Sequence, residues 1–501
     1  MSKTFDFYQL LIFLNSLVLL LILSTLCIPS TASFFDFQAI YYNGNVSYLD
    51  RSSVFLAVIL SVMVHFSLVR AKLRSNIFVL IINYYFIFYY LLRFVTLSLT
   101  GYSSIFNDYL EVTDLDNFNL TLCFLIFANS AIYLGFGLFS RKSFSLNIDR
   151  NFTPTPLLLN IILGVFFIAI CIEGSDLFHY ALNFLPRFFN PIILFLSPIL
   201  FLFIGLVIFV IYYRNISRTY CSLFILVIFF YISISVYNGG KSIPIFTVET
   251  IFIILGALNT RIAIKQLMLF VTIVPLFVAF IYLVFVFATD LRASKSSIQP
   301  DEPRTYQEVA IDSFIERGFQ SSDQFIKIIF NRAGYLDPVV NIYQHKEEYS
   351  KHINIKTLKN SFVDNILTPG FDLYDQPKHA NALVFIYKNS LNEGKISKKF
   401  VSEGTHYQSD IFTLYGEMFL YFSWFSLLFI FLWAFVGLKL MIYLTKFKRD
   451  FLSSTLMMTL LLFVGRSYQS MGMDWLAHEI VPFLSIALIF GFVANKVKKY
   501  D

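Results

Sequence analysis

Long apolar runs separated by short polar connections organise this chain. A membrane-crossing helix needs about 20 apolar residues. Runs near that length fall at 8–28, 53–69, 76–92, 119–139, 156–172, 191–213, 220–236, 244–258, 266–288, 413–444, 451–465 and 479–495, and each predicts a transmembrane helix. From 289 to 412 the pattern changes to a polar stretch, and connections of that length usually carry structure or function of their own. Within it Val309, Ile311, Phe314 and Ile315 form one apolar stripe, and Phe325, Ile326, Ile328, Ile329 and Phe330 form another. Ser322-Asp323 gives the second stripe a helix start, and Asp323 lies four residues before Lys327. Both stripes predict short amphipathic helices against the bundle or the membrane interface. The expected fold is all-α, a polytopic bundle of about 12 helices with one large, mainly helical loop. It divides into 1–288 with nine helices, a cap at 289–412, and 413–501 with three helices.

Basic residues orient the bundle. Alternate connections carry Arg70, Lys72 and Arg74; Arg141, Lys142 and Arg150; Arg214 and Arg218; Arg261 and Lys265; Lys446, Lys448 and Arg449. Lys3 and the tail residues Lys496, Lys498 and Lys499 fall on the same side, while the opposite connections hold mainly Arg51, Arg93, Arg187, Lys241 and Arg466. By the positive-inside rule both termini are cytoplasmic and the cap is extracytoplasmic. The N-terminal run reads as an uncleaved first helix rather than a removed signal peptide. The unequal halves, nine helices against three, argue against an inverted-repeat transporter.

Composition agrees. The chain has 501 residues, 57% hydrophobic and 14% charged, against about 45–50% and about 25% in soluble domains. That excludes a soluble enzyme, a disordered chain and a disulfide scaffold. Cys27, Cys123, Cys171 and Cys221 are scattered in or beside apolar runs and read as thiols buried in lipid. No metal or cofactor is expected.

Two motifs fail on inspection. Asn238-Gly239-Gly240-Lys241-Ser242 resembles the end of a phosphate-binding loop, but the earlier glycine of that pattern is replaced by Ser235. Asp114-Leu115-Asp116 reads as a solvated acidic loop. More informative are cations at the outer interface, where orientation does not require them. Lys241 sits in a Gly-Gly turn, Arg466 ends the eleventh run, and Arg292 follows the ninth. Arg317 and Arg332 end the two amphipathic stripes. Together these five suit a diphosphate, which arginine binds bidentately.

The cap ends in Glu403-Gly404-Thr405-His406-Tyr407-Gln408-Ser409-Asp410, and Tyr415-Gly416-Glu417 follows as the tenth helix begins. His406 and Asp410 are four apart and share one face of a helix. Glu417, an ionisable group at membrane depth, is a functional candidate by default. His406, Asp410 and Glu417 are therefore the candidate acid–base residues. Tyr407 and Tyr415, with Tyr421 and Trp424, read first as an interfacial aromatic belt and second as candidate sugar platforms. His65, inside the second run, reads as a packed, hydrogen-bonded histidine.

The segment Phe330-Asn331-Arg332-Ala333-Gly334-Tyr335-Leu336-Asp337-Pro338-Val339 resembles the Arg-x-x-x-Leu-Asp segment of the O-antigen polymerases, the Wzy-type oligosaccharide repeat-unit polymerases. Thr368-Pro369-Gly370-Phe371, leading to Gln376-Pro377-Lys378, is similar to their Pro-rich stretch, and His406 to Glu417 to their re-entry into the membrane. The likeness covers about 290–445 at the level of motifs, and the rest by topology. It implies a GT-C-like, metal-independent glycosyltransferase of the bacterial inner membrane, active toward the periplasm. Such an enzyme moves a growing glycan from undecaprenyl diphosphate to a new lipid-linked repeat unit. Arg332 corresponds to the family's cap arginine. Lys241 stands where relatives often have Arg, and Gly370 where many have another Arg. The resemblance also implies a chain-length regulator as partner, beside the lipid-linked oligosaccharide and the bilayer; no nucleic acid is expected. An O-antigen ligase and a transporter or flippase of lipid-linked oligosaccharide are the alternatives.

Overall fold

The computed structural model describes residues 4–25, 51–95, 115–138, 153–175, 197–237, 242–258, 262–263, 336–344, 346–352, 354–363, 373, 413–444, 451–467, 485 and 488–489. Helices dominate them. Seven are long and apolar enough to cross a membrane, over Phe7–Ser24, Arg51–Arg74, Ile77–Val95, Asp116–Gly135, Pro156–Gly174, Arg218–Ser235 and Leu414–Leu440. The chain is a membrane-embedded helix bundle. In lipid every backbone polar group must be satisfied within the protein, and a helix does this locally.

The bundle opens with α1 (Phe7–Thr25), α2 (Arg51–Arg74) and α3 (Ile77–Phe86), which runs on through a π-helical turn at Ile87–Leu91. Next come α4 (Leu115–Gly135), α5 (Pro156–Gly174), α6 (Pro198–Ile211), α7 (Arg218–Tyr237) and α8 (Ser242–Ala257). From the expected cap the described residues include α9 (Leu336–Gln344), α10 (Lys346–His352) and α11 (Ile355–Phe362). The chain continues with α12 (Leu414–Phe422), α13 (Ser426–Leu444) and α14 (Phe451–Arg466). The run expected at 266–288 and both apolar stripes of the cap lie outside the described residues, as does most of the run at 479–495.

Local chemistry sets several of these boundaries. Thr155 caps α5 by accepting from the Leu158 amide, with Pro156 at the first helical position. Asn76 caps α3, and its Nδ2 also donates to the Phe136 carbonyl at 3.0 Å, tying the α2–α3 turn to the end of α4.

Between helices, polar clamps supply what a hydrophobic drive cannot supply in lipid. Asn15 donates to the Ser61 carbonyl at 2.9 Å, and Ser53 to Asn119 Oδ1 at 2.7 Å. The Tyr133 hydroxyl donates to Asn83 Oδ1 at 2.6 Å, and Asn83 Nδ2 donates to Ser67 Oγ at 2.7 Å. Gly135 lets α4 and α13 approach closely, since a Cβ there would lie 2.6 Å from that of Ala434. Of the span from Ile77 to Val95, 78% is buried, against 22% for that in α7. Thus α3 is the axis of the bundle and α7 its lipid-facing rim.

Strands β1 (Thr4–Phe5) and β2 (Ile262–Ala263) pair antiparallel, Thr4 opposite Ala263. Asp6 accepts from the Gln9 amide at 2.8 Å to start α1 and lies 3.4 Å from Lys72. These contacts bring the first residues, the end of α2 and the segment after α8 to one end of the bundle.

The apolar run at 413–444, which holds the span counted over Leu414–Leu440, is interrupted by a 3₁₀ turn at Ser423–Phe425 that divides α12 from α13. Ser423 takes φ 52°, a left-handed conformation that interrupts the helix. Phe422 then stacks on Phe429 with ring centroids 3.7 Å apart. Seven residues of straight helix would separate them by about 10.5 Å along the axis. The chain changes direction at Ser423.

Candidate functional site

The polar groups in the bundle gather around α3. On one side lies the start of α12. Thr413 caps it, accepting from the Gly416 amide at 3.2 Å through Oγ1 and from the Glu417 amide at 2.9 Å through its carbonyl. Glu417 therefore sits in the first turn, where unsatisfied amides and the helix dipole favour a negative charge. It is buried, at 1% exposure. Two residues earlier Tyr415, also buried, donates to Asn129 Oδ1 at 2.7 Å. Its ring meets Tyr90 edge-on at 5.4 Å. Gly416 admits α9, because a Cβ there would lie 2.5 Å from Ile342 Cδ1. Leu336, the first residue of α9, shares a small apolar cavity with Tyr90, Phe94 and Leu125. Burial, and then the neighbouring Cys123, pushes the Tyr343 phenol of α9 well above its ordinary range, so it stays protonated.

On the other side is Glu249, in the middle of α8 and 2% exposed. Tyr89 donates to its Oε1 at 2.7 Å and Tyr85 to its Oε2 at 3.3 Å. The two phenol rings stack 5.7 Å apart. Helix α14 closes on this pair through Gly465, where a Cβ would lie 2.7 Å from Tyr85 Cε2. Arg466 is the next residue and ends α14. The π-helical turn carries both Tyr89, which bonds Glu249, and Tyr90, which meets Tyr415; such turns often mark functional sites.

Of the predicted site residues, Glu417 and Tyr415 both lie in the first turn of α12, on different faces of the helix. Tyr415 is enclosed by Tyr90 and Asn129, so contact with a sugar requires that packing to open. His406, Tyr407, Asp410, Lys241, Arg292, Arg317 and Arg332 lie outside the described residues. Glu249 is the residue that sequence reasoning passed over, its run having been read only for length. A lone carboxylate in an apolar helix was the available signal. Arg93, grouped with the outer connections, is instead fully buried in the continuation of α3. His65 differs from expectation too, since its buried Nδ1 has no hydrogen-bond partner among the described residues.

Cys123, Cys171 and Cys221 carry free thiols. Among the described residues no three His, Cys, Asp or Glu side chains converge on a point that could hold a metal ion. No family model, curated protein or solved structure matches this chain.

Proposed function

We propose that this protein is an oligosaccharide repeat-unit polymerase of the bacterial inner membrane, a metal-independent, GT-C-like glycosyltransferase with twelve helices and both termini cytoplasmic. It moves a growing glycan from undecaprenyl diphosphate onto a hydroxyl of a new lipid-linked repeat unit at the periplasmic face. The observation that carries this reading is Glu417, a carboxylate buried in the first turn of α12, next to the Gly416 against which α9 packs. Attack by a sugar hydroxyl needs a base beside a partly dry site, and a carboxylate in that position fits the role. Without ATP outside the cytoplasm, the energy must come from the donor. Its diphosphate leaves as an anion that Arg332, Arg292, Arg317, Lys241 and Arg466 are assigned to stabilise. A polyprenyl tail requires a lipid-embedded enzyme, in keeping with the seven apolar spans. The contacts of Asp6 with Lys72 and of β1 with β2 support a shared, basic cytoplasmic end.

In the test, Arg332→Ala abolishes long glycan chains while protein level and membrane insertion persist. An unchanged chain-length ladder on a gel refutes the assigned role. Products formed on lipid A core in place of lipid-linked repeats would turn the assignment to the ligase.

One set of observations favours the transporter reading. Glu249, Arg93 and Glu417 are buried within apolar helices, a π-helical turn distorts the span at Ile87–Leu91, and the helix breaks at Ser423. Charges at depth and broken helices are transporter features. Movement of lipid-linked oligosaccharide across proteoliposomes, with no new glycosidic bond, would decide for it.

A further inference from the structure

Lys346 is a cation that the polymerase reading does not use. It opens α10, and its half-buried ammonium donates to Ser423 Oγ at 2.8 Å and lies 5.0 Å from the centre of the Phe419 ring. An ammonium has three donors. Here one goes to a hydroxyl, and a ring face takes part of the charge. Lys346 has no carboxylate partner among the described residues. A cation so placed retains donors and charge for an anion.

Its surroundings identify what kind. Ser423 is the corner where α12 turns into α13, and the next two residues point outward, Trp424 at 43% and Phe425 at 78% exposure. Behind the corner the rings are fixed. Tyr343 stacks on Phe419 at 3.9 Å, and Phe124 meets Trp424 edge-on at 5.7 Å. An ammonium beside two exposed aromatic rings matches an amphiphile, its phosphate on the charge and its chains along the rings. The rings lie on the outer surface of the bundle, where bilayer lipids stand.

We propose that the corner formed by Lys346, Ser423, Trp424 and Phe425 seats the phosphate and upper chains of an anionic bilayer phospholipid. The site does not depend on the polymerase reading. Lysine supplies the charge, the serine hydroxyl a second polar contact, and the lipid in turn braces the corner at Ser423.

Native mass spectrometry of the full-length protein, titrated with phosphatidylglycerol, tests this. K346A should weaken the tightest phosphatidylglycerol adduct about tenfold, the usual effect of losing a charge-assisted contact. K346R, which keeps the charge, should stay within about threefold. S423G removes the hydroxyl and suits the left-handed backbone, and it should cost about threefold. Phosphatidylglycerol should outcompete phosphatidylcholine on the wild type but not on K346A. Equal retention by K346A and wild type overturns the site, as does equal loss in K346A and K346R. Displacement of phosphatidylglycerol by a tenth of its concentration of polyprenyl phosphate overturns the bilayer-lipid assignment.

Discussion

Glu249 and Glu417 are both withdrawn from solvent, yet the bundle holds them by different means. Glu249 lies in mid-helix, where the backbone amides are already committed, and it is gripped by two hydroxyls from α3. Glu417 lies in a first turn, where its own helix supplies a favourable field. The first carboxylate rivets two helices together. The second lies in a first turn whose amides and dipole favour its charge, so its reactivity can be set by what packs over it. Removing a rivet should cost stability, whereas removing a reactive group should cost turnover.

Glu417→Gln gives the largest expected effect. Turnover should fall by about a hundredfold or more, the usual contribution of a general base, while donor binding and thermal stability stay near wild type. Parallel losses in turnover, binding and stability would make Glu417 a second rivet and dissolve the contrast. Glu249→Ala should do the reverse, lowering the stability of purified protein in detergent by about 2–4 kcal/mol, because the buried Tyr85 hydroxyl and the half-buried Tyr89 hydroxyl lose an acceptor. An unchanged melting temperature would break the comparison from that side.

Smaller changes sharpen it. Gly465→Ala forces a methyl against the Tyr85 ring and should cost about 1–3 kcal/mol in thermal unfolding, by overpacking at the junction with α14. Tyr89→Phe should cost about 1 kcal/mol, and Tyr85→Phe less, since the 2.7 Å bond of Tyr89 is the stronger of the two. Equal effects from the two tyrosines would mean that the grip is not divided as these distances imply.

Much of the fold was legible along the chain. The runs at 8–28, 53–69 and 156–172 correspond to α1, α2 and α5 within a few residues. Part of the site was legible too, because a carboxylate just inside an apolar run announces Glu417. Glu249 was equally visible by type, but its run was read for length alone. The break at Ser423 had only a faint marker, the serines at 423 and 426 in an apolar run, for neither glycine nor proline stands there. Arg93, near the end of its run, gave no sign that it would turn inward.

By itself the sequence determined that this chain lives in a membrane and where most of its described apolar spans fall. The reason is local, since in lipid a backbone can satisfy its hydrogen bonds within a single apolar segment. Only the tertiary structure decided that α3 is the axis, that Tyr85 and Tyr89 bind Glu249, and that α12 turns away from α13. Those outcomes depend on which helix faces meet, and pairs such as Glu249 with Tyr89 lie 160 positions apart in the chain. Hydropathy along one segment carries no information about the side chains another segment will bring to it.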